Sequence, residues 1–320
     1  MKLGVFTAIL DHQPLETALD YLQGLGVQAV ELGCGGTAGH SHANPEILLN
    51  DAGALREFQR TIDRHHMEIS ALSCHGNPVH PNPETAQAYD KTIRDTILLA
   101  QRLGLRRINT FSGCPGSDPD AHYPNWVTCP WPEDFQEVLD YQWNQVLIPY
   151  WRETAAFAAE HGVTQIALEM HPGFCVYHTE SLLRLRRAVG EQIGANLDPS
   201  HLIWQGLDPA VFILDFAARI YHVHVKDAKL NLNGRNGILG SHITFGDQRR
   251  GWNFVSPGHG DVDFDNIIRA LNQIGYDGPL SVEWEDSGMQ RNFGGKEACE
   301  FTKKINFMPS DVAFDDAIKA

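Results

Sequence analysis

Gln165-Ile-Ala-Leu-Glu-Met-His171 is a short apolar run that ends in potential metal ligands. The second half of the chain contains three more runs of the same form: Ile193–Asp198, Tyr221–Lys226 and Leu280–Glu285. Each has the length of a strand and carries a carboxylate or an imidazole near its carboxyl end. The carboxyl ends of parallel strands surround one point where the sheet closes into a barrel. These four runs therefore predict a barrel with polar side chains gathered at its mouth.

The rest of the chain repeats the same alternation of strand-like and helix-like segments. Some helical stretches begin at a cap followed by proline, as at Asp208-Pro209, and some end in glycine, as at Leu103-Gly104. Eight β/α units without a Pro/Ser/Gly-rich linker predict one α/β domain over residues 1–320, a single (β/α)8 TIM barrel. Four more candidate strands complete the eight: Leu3–Thr7, Ala29–Leu32, Glu68–Ser73 and Arg107–Phe111.

Composition and charge narrow the classes of function. The formal net charge of −15 argues against nucleic acid as a partner, because phosphates repel an acidic surface. No apolar run is long enough to span a membrane, and the N-terminus lacks the features of a signal peptide. The six cysteines are scattered without a C-x-x-C pair, which fits reduced thiols. We therefore expect a cytoplasmic protein with no membrane contact.

Strand alternation predicts which side chains face the barrel interior, because residues two apart share a face. In all four runs the apolar set faces the helices and leaves a polar set inside. That set is Glu169, His171, Asn196, Asp198, His222, His224, Lys226, Glu283 and Glu285. Three carboxylates in one pocket with few cations nearby repel one another unless a bound cation neutralises them. Oxygen ligands with one imidazole suit Mn²⁺ first, then Mg²⁺, Co²⁺ or Fe²⁺, and tolerate Zn²⁺.

Six segments of the chain can be matched to a known family. They are Leu168–Pro172, Leu197–His201, His222–Asp227, Pro257–Phe264, Val282-Glu283 and, after the third strand, Cys74–Pro78. Together they resemble the xylose isomerase-like TIM-barrel superfamily of sugar isomerases and epimerases. The resemblance covers nearly the whole chain and is strongest from Glu169 to Glu283. It implies a small-molecule sugar or keto-sugar as substrate and, in many relatives, a homo-oligomer.

Carried over residue by residue, the resemblance implies that Glu169, Asp198, His224 and Glu283 hold the metal. In the ketose 3-epimerases of this family the two glutamates also act as acid/base partners on opposite faces of the substrate. By resemblance, Glu169 takes a proton from the carbon next to a metal-bound carbonyl, and Glu283 returns one. The cation stabilises the enediolate formed between these steps. His201, three residues after the aspartate, is expected beside the metal, where it contacts a substrate oxygen.

Two departures from the epimerase pattern leave an alternative open. Lys226 stands where a ketose epimerase more typically has arginine, so we expect different contacts with substrate oxygens. His171 lies on the same face as Glu169 and is a further base candidate near neutral pH. The Glu-x-His arrangement resembles relatives that cleave 3-keto-glycosides, and inosose-type dehydratases use similar metal sites. The alternative to an isomerase or epimerase is thus a lyase, deglycosidase or dehydratase with His171 as base.

Less specific signals concern the first half of the chain and the long loops. Glu31 lies at the end of the second strand and His75 follows the third. Both are candidates for binding substrate, with a rim salt bridge and a plain loop histidine as their alternatives. The irregular segments 112–132 and 230–259 follow the fourth and seventh strands, so their Trp126, Trp131 and Trp252 either wall the pocket or pack against the barrel rim.

Two other classes of function remain to be separated from the enzymes above. Zinc-dependent apurinic endonucleases share this barrel, but they need three metals and more histidine ligands. The histidines available for such a cluster are His40, His42, His75 and His259. A catalytically silent barrel that binds sugar is the other class, although binding alone does not require two opposed glutamates.

Overall fold

Eight parallel strands close into a barrel in the computed structural model, which describes residues 1–240, 243–312 and 316. The barrel strands are β1 (Lys2–Phe6), β2 (Ala29–Gly33), β3 (Glu68–Ser73), β4 (Arg107–Thr110), β5 (Gln165–Glu169), β6 (Ile193–Leu197), β7 (Ile220–Val225) and β10 (Pro279–Val282). Around the barrel their order is β1, β10, β7, β6, β5, β4, β3 and β2, with β2 paired to β1. The predicted (β/α)8 barrel is therefore confirmed.

Helices connect the strands and cover the outside of the barrel. They are α1 (Leu15–Gly24), α2 (Pro45–Asn50), α3 (Ala52–Arg64), α4 (Pro83–Leu103), α5 (Asp134–Asp140), α6 (Ile148–Glu160), α7 (Thr179–Val189), α8 (Pro199–Ile203), α9 (Pro209–Phe216), α10 (Phe264–Gln273) and α11 (Arg291–Ile305). A π-helical stretch, Tyr141–Leu147, joins α5 to α6. Of the helices in the described ranges, none is both long and apolar enough to cross a membrane. That the barrel makes up one domain over 1–320 stays a prediction.

Local capping explains where the predicted helices begin and end. The Asp208 side chain accepts from the backbone N–H groups of Ala210 and Val211, so α9 starts where the Asp-Pro pair predicts. Helix α4 ends at Gly104, which has the left-handed backbone (φ 69°) that glycine adopts without a Cβ penalty. These caps set where α9 begins and where α4 ends.

The core lies between the helices and the outer face of the barrel. Trp151 on α6 is fully buried, and its Nε1 donates to the carbonyl of Ser112 at 2.9 Å. The outward-facing Ile166 and Leu168 of β5 are buried in the same cluster. The inner face is polar instead, since the pairing register puts Glu169 beside Asn196 and His224 beside Ser281. Apolar packing on the outside thus holds a polar interior in place.

The long segment after β7 contains structure that the sequence did not predict. Strand β8 (Asp227–Leu230) pairs antiparallel with β9 (Trp252–Val255) and forms a hairpin above the barrel. The Asp227 carboxylate accepts the backbone N–H groups of Gly258, Gly260 and Val262 at 2.9 to 3.1 Å. A Cβ on Gly260 would lie 2.0 Å from Asp227 Oδ1, so only glycine allows this approach.

Candidate active site

The four residues predicted to hold a metal lie together at the mouth of the barrel. Glu169, Asp198, His224 and Glu283 each offer one ligand atom, and these atoms all lie within 4.8 Å of one another. They come from the carboxyl ends of β5, β6, β7 and β10. The first three are buried, and Glu283 is partly exposed. The structure brings the set together, and its role as a ligand set stays a prediction.

The donor set fits a divalent cation. Asp198 caps α8, and its Oδ1 accepts from the Ser200 backbone N–H and hydroxyl at 2.8 and 2.7 Å. This fixes the carboxylate and leaves Asp198 Oδ2 for another partner. Asp198 Oδ2 and Glu283 Oε2 are buried atoms that lack a well-oriented hydrogen bond from the described residues. Unsatisfied buried oxygens beside an imidazole are suited to holding a metal ion.

A buried hydrogen-bond network fixes the His224 ring below this set. His224 Nε2 donates to Glu31 Oε2 at 2.9 Å, while its Nδ1 lies 2.8 Å from Glu283 Oε2. Ser73 and Asn109 donate to Glu31 Oε1, and Ser281 donates to Glu31 Oε2. The ring is therefore oriented with Nδ1 toward the other candidate ligands.

The expectation that Glu31 binds substrate is wrong. Its side chain is fully buried, and both oxygens are used by protein donors, so neither faces the pocket or the rim. Burial opposes ionisation of Glu31, but His224 and then His222 outweigh it and hold the pKa well below its usual range. Glu31 is instead a buried partner of His224.

A second cluster, formed by Glu31, His222 and His224, also brings ligand atoms within 4.8 Å. Its carboxylate is already satisfied by the network above. His222 Nδ1 donates to Asn196 Oδ1 at 3.0 Å, and burial lowers its pKa to about 3. A neutral His222 is thus suited to holding the Asn196 amide in place.

Lys226 is a buried cation beside the candidate ligands. Lys226 Nζ lies 3.3 Å from both Glu283 Oε2 and Glu285 Oε1, and 3.7 Å from Asp198 Oδ2. Burial opposes the charge on Lys226, but Glu283 and Glu285 outweigh it and raise the pKa of the ammonium well above its usual range. Lys226 therefore reduces the repulsion among the carboxylates. The expectation of a bound metal depends more on the geometry of the ligand atoms than on this repulsion.

His201 and His75 both contact Glu169. His201 Nε2 lies 3.0 Å from Glu169 Oε1 and 3.1 Å from Asp198 Oδ2, so it sits beside the candidate ligands as predicted. Burial opposes protonation of His201, but Asp198 and then Glu169 raise its pKa to about 9. His75 Nε2 lies 3.0 Å from Glu169 Oε2. Contact of His201, His75 or Lys226 with a substrate stays a prediction.

His171 lies beside the pocket between aromatic rings and His201. Its Nδ1 donates to the Pro172 carbonyl at 2.6 Å, which leaves Nε2 as the atom that can accept a proton. Burial, and next the nearby His201, lower the pKa of His171 to about 3. The ring is therefore neutral at physiological pH, though weakly basic in this state.

A cavity of about 690 Å³ opens above these residues. Glu169, His171, Lys226 and Glu283 line it together with His75. Its aromatic walls, which the sequence did not predict, are Phe6, Phe111, Phe174, Phe245, Phe254 and Trp284, and Glu285, Asp286 and Arg291 add charge at its edge. Phe111 directly follows β4 and Phe254 lies in β9, a strand whose position depends on a long loop that the sequence does not specify.

The three tryptophans that were candidates for the pocket wall, Trp126, Trp131 and Trp252, do not line this cavity. Trp252 is buried and stacks on Trp204 with ring centroids 4.5 Å apart, which is the packed alternative. Trp131 is 69% exposed, and Trp126 lines a separate cavity described below.

The histidines required for a three-metal centre do not gather at the barrel mouth. Of His40, His42, His75 and His259, His75 alone lines the cavity. His42 Nε2 lies 3.0 Å from the Gln13 carbonyl, and His259 Nε2 lies 2.9 Å from Glu297 near the surface. Within the described ranges, neither potential metal cluster includes any of the four. The geometry gives no support to the endonuclease alternative.

Comparison with known proteins agrees with the fold. The family model described as xylose isomerase-like TIM barrel matches residues 19–305. Uncharacterized protein YfiH of Bacillus subtilis is 36% identical over 310 residues, which are 95% of this chain and 99% of that protein. An inosose dehydratase of Clostridium botulinum is 29% identical over 145 residues, 45% of this chain and 47% of the dehydratase.

Solved structures with the same fold have lower sequence identity to this chain. The IolI protein, whose structure contains a bound zinc atom, gives a TM-score of 0.64 at 20% identity and covers 95% of this chain and 96% of its own. A D-tagatose 3-epimerase-like protein also gives 0.64 at 20% identity, over 96% of this chain and 98% of its own. Since the family model spans most of the chain, this protein belongs to the xylose isomerase-like TIM barrel family.

Proposed function

We propose that this protein is a divalent-metal-dependent sugar isomerase or epimerase that transfers a proton at the carbon next to a carbonyl. The observation that carries the proposal is the convergence of Glu169, Asp198, His224 and Glu283 at the mouth of the barrel, beside a cavity of about 690 Å³ that Glu169 and Glu283 line. When bound, a divalent cation supplies a Lewis acid that stabilises negative charge developing on substrate oxygens.

The protein side chains provide the proton transfer. Glu169 accepts hydrogen bonds from His201 and His75; burial opposes its ionisation, but these contacts hold its pKa well below the usual range. It is therefore ionised and oriented toward the cavity, as a general base requires. Glu283 also lines the cavity, and Lys226 Nζ lies 3.3 Å from its Oε2. We assign proton removal to Glu169 and proton return to Glu283.

Lys226, His201 and His75 are proposed to bind substrate oxygens. All three are donors beside the carboxylate set. Lys226 Nζ also lies 4.6 Å from the centroid of the Phe254 ring. Sugars present hydroxyl groups to such donors and apolar C–H faces to aromatic walls. We further propose Mn²⁺ as the resident ion, a cytoplasmic location, no nucleic-acid partner and a homo-oligomer.

A second candidate function is elimination from a cyclic or 3-keto substrate, either as an inosose-type dehydratase or as a lyase on 3-keto-glycosides. Two observations favour it. His171 reaches the same cavity with Nε2 free of the Pro172 contact. The inosose dehydratase relative matches about half of the chain. In this alternative His171 is the base, and the enediolate expels a hydroxyl or glycosyl group instead of being reprotonated.

One experiment separates the two functions. The Mn²⁺-loaded protein is incubated in D₂O with ketohexoses, with an inosose and with a 3-keto-glycoside, and products are followed by NMR and mass spectrometry. A deuterated epimer or isomer of a ketohexose supports the first function. Water loss or glycosidic cleavage restricted to the other substrates supports the second. No exchange and no product with any of them contradicts both.

A further inference from the structure

A second cavity, separate from the candidate active site, lies between the loop after β4 and helix α7. Its volume is about 480 Å³, which is in the range of small-molecule sites. Its lining and that of the catalytic cavity have no residue in common. Phe174 lines the catalytic cavity, whereas Cys175 and Tyr177 line the second one, so one short segment forms the wall between them.

The walls of this second cavity are aromatic. Trp126 and Tyr177 contact edge to face, with centroids 5.3 Å apart. Trp143, nearly buried, forms another part of the lining. Trp126 Nε1 is a buried donor that has no acceptor among the described residues. Aromatic faces beside an unused donor are suited to a planar ring that carries an acceptor.

The rim of this cavity is cationic in a strongly acidic protein. Arg184 and Arg187, one turn apart on α7, both line it and are exposed. Neither forms an ion pair within 4.0 Å with any carboxylate in the described part of the chain. Arg184 Cζ lies 4.3 Å from the Trp143 ring centroid, so aromatic packing holds its guanidinium at the rim. Glu180 is the acidic residue in the lining, and the two arginines outweigh its charge.

We propose that this cavity, named here the accessory cavity, binds a planar aromatic anion. The ring packs among Trp126, Trp143 and Tyr177. The carboxylate, sulfate or phosphate group of the ligand pairs with Arg184 and Arg187, whose planar guanidinium groups match such anions with paired hydrogen bonds. The proposal does not depend on the chemistry at the barrel mouth.

Cys129 provides a reporter for occupancy. It lines the accessory cavity and is exposed, whereas the other five cysteines are buried. The probe is 2-naphthoate, with its neutral isostere 2-naphthamide and the non-aromatic anion cyclohexanecarboxylate as comparisons. Calorimetry gives the dissociation constants, and the rate of Cys129 alkylation by N-ethylmaleimide reports protection of the cavity. We expect 2-naphthoate to bind more tightly than either comparison compound and to slow alkylation.

Matched variants test the location of the probe. Arg184→Gln is expected to weaken 2-naphthoate by about tenfold or more and to remove the protection of Cys129, because it deletes a charged hydrogen-bond donor. Arg60→Gln on α3, an equal change of charge at an exposed site, should leave both readouts unchanged. Arg187→Gln provides a second variant should Arg184→Gln disturb folding. Equal affinity for the three compounds, or loss of binding in Lys226→Gln but in neither arginine variant, would overturn the proposal.

Discussion

His224 joins two carboxylates through the two nitrogens of one ring. Its Nε2 donates to Glu31 at 2.9 Å, and its Nδ1 lies 2.8 Å from Glu283 Oε2. Because a carboxylate only accepts hydrogen bonds, Glu31 fixes the Nε2–H tautomer when the ring is neutral, and the lone pair of Nδ1 then faces the candidate ligands. Glu31 is thus expected to control how well His224 serves as a ligand.

Glu31→Gln should weaken the binding of Mn²⁺ and Zn²⁺ by about tenfold to a hundredfold, the usual effect of losing a partner that orients a metal-bound histidine. Calorimetric titration of the metal-free protein measures the change. Ser281→Ala, which removes one of the donors to Glu31 and leaves its charge, serves as the control with a smaller effect. Wild-type affinity in Glu31→Gln would contradict the assigned orientation.

Replacing the candidate bases one at a time should separate the two candidate functions, with His171→Ala as the discriminating variant. Glu169→Gln and Glu283→Gln are expected to abolish turnover, since a neutral amide neither removes nor returns the proton. His171→Ala should abolish turnover if the reaction is elimination and should leave epimerisation active. Product formation and deuterium incorporation are measured together for each variant. Full epimerase activity in His171→Ala discards the elimination function, and turnover by Glu169→Gln contradicts the assigned base.

The sequence predicted the candidate ligands because their signal is local. A polar residue at the end of an apolar strand is visible in a run such as 165–171, and alternation assigns its face. The depth of a residue inside the barrel depends on the pairing of strands that are distant in sequence, so no local signal predicts it. Glu31 lies near the end of the predicted strand, but in the structure β2 continues to Gly33 and its register with β3 shifts between Val30 and Glu31. The Glu31 side chain therefore bonds His224 and does not line the cavity.

The aromatic residues that line the cavity could not be predicted either, because their positions depend on contacts between distant segments. Phe174 and Phe245 belong to loops whose conformation is set by contacts between distant segments. Phe245 stacks on Phe254 with ring centroids 5.4 Å apart, and Phe174 stacks on Phe111 at 4.3 Å. Neither contact has a periodic signature in the sequence, since each joins a loop residue to a residue on a different segment.

Asp227 should be important for the stability of the hairpin over the barrel. Asp227→Asn puts an amide N–H near the backbone N–H groups of Gly258, Gly260 and Val262 and removes an acceptor. We expect a loss of about 1–3 kcal/mol in the free energy of unfolding, as for a buried donor left unpaired. Urea denaturation measures it. Asp265→Asn, which alters an exposed ion pair on α10, should change stability by less than about 0.5 kcal/mol.

Metal binding should stabilise the folded chain, because the four candidate ligands lie on four different strands and converge only in the barrel. At a free Mn²⁺ concentration of about 100 times the dissociation constant, the expected gain is about 2.7 kcal/mol, seen as a higher Tm than in EDTA. Asp198→Asn should reduce this gain, since the amide is a weaker ligand than the carboxylate that Ser200 orients. Glu285→Gln keeps the four ligands and should retain the gain. A Tm that does not respond to Mn²⁺, Zn²⁺ or EDTA in the wild-type protein would contradict metal binding at the barrel mouth and remove the basis of the proposed function.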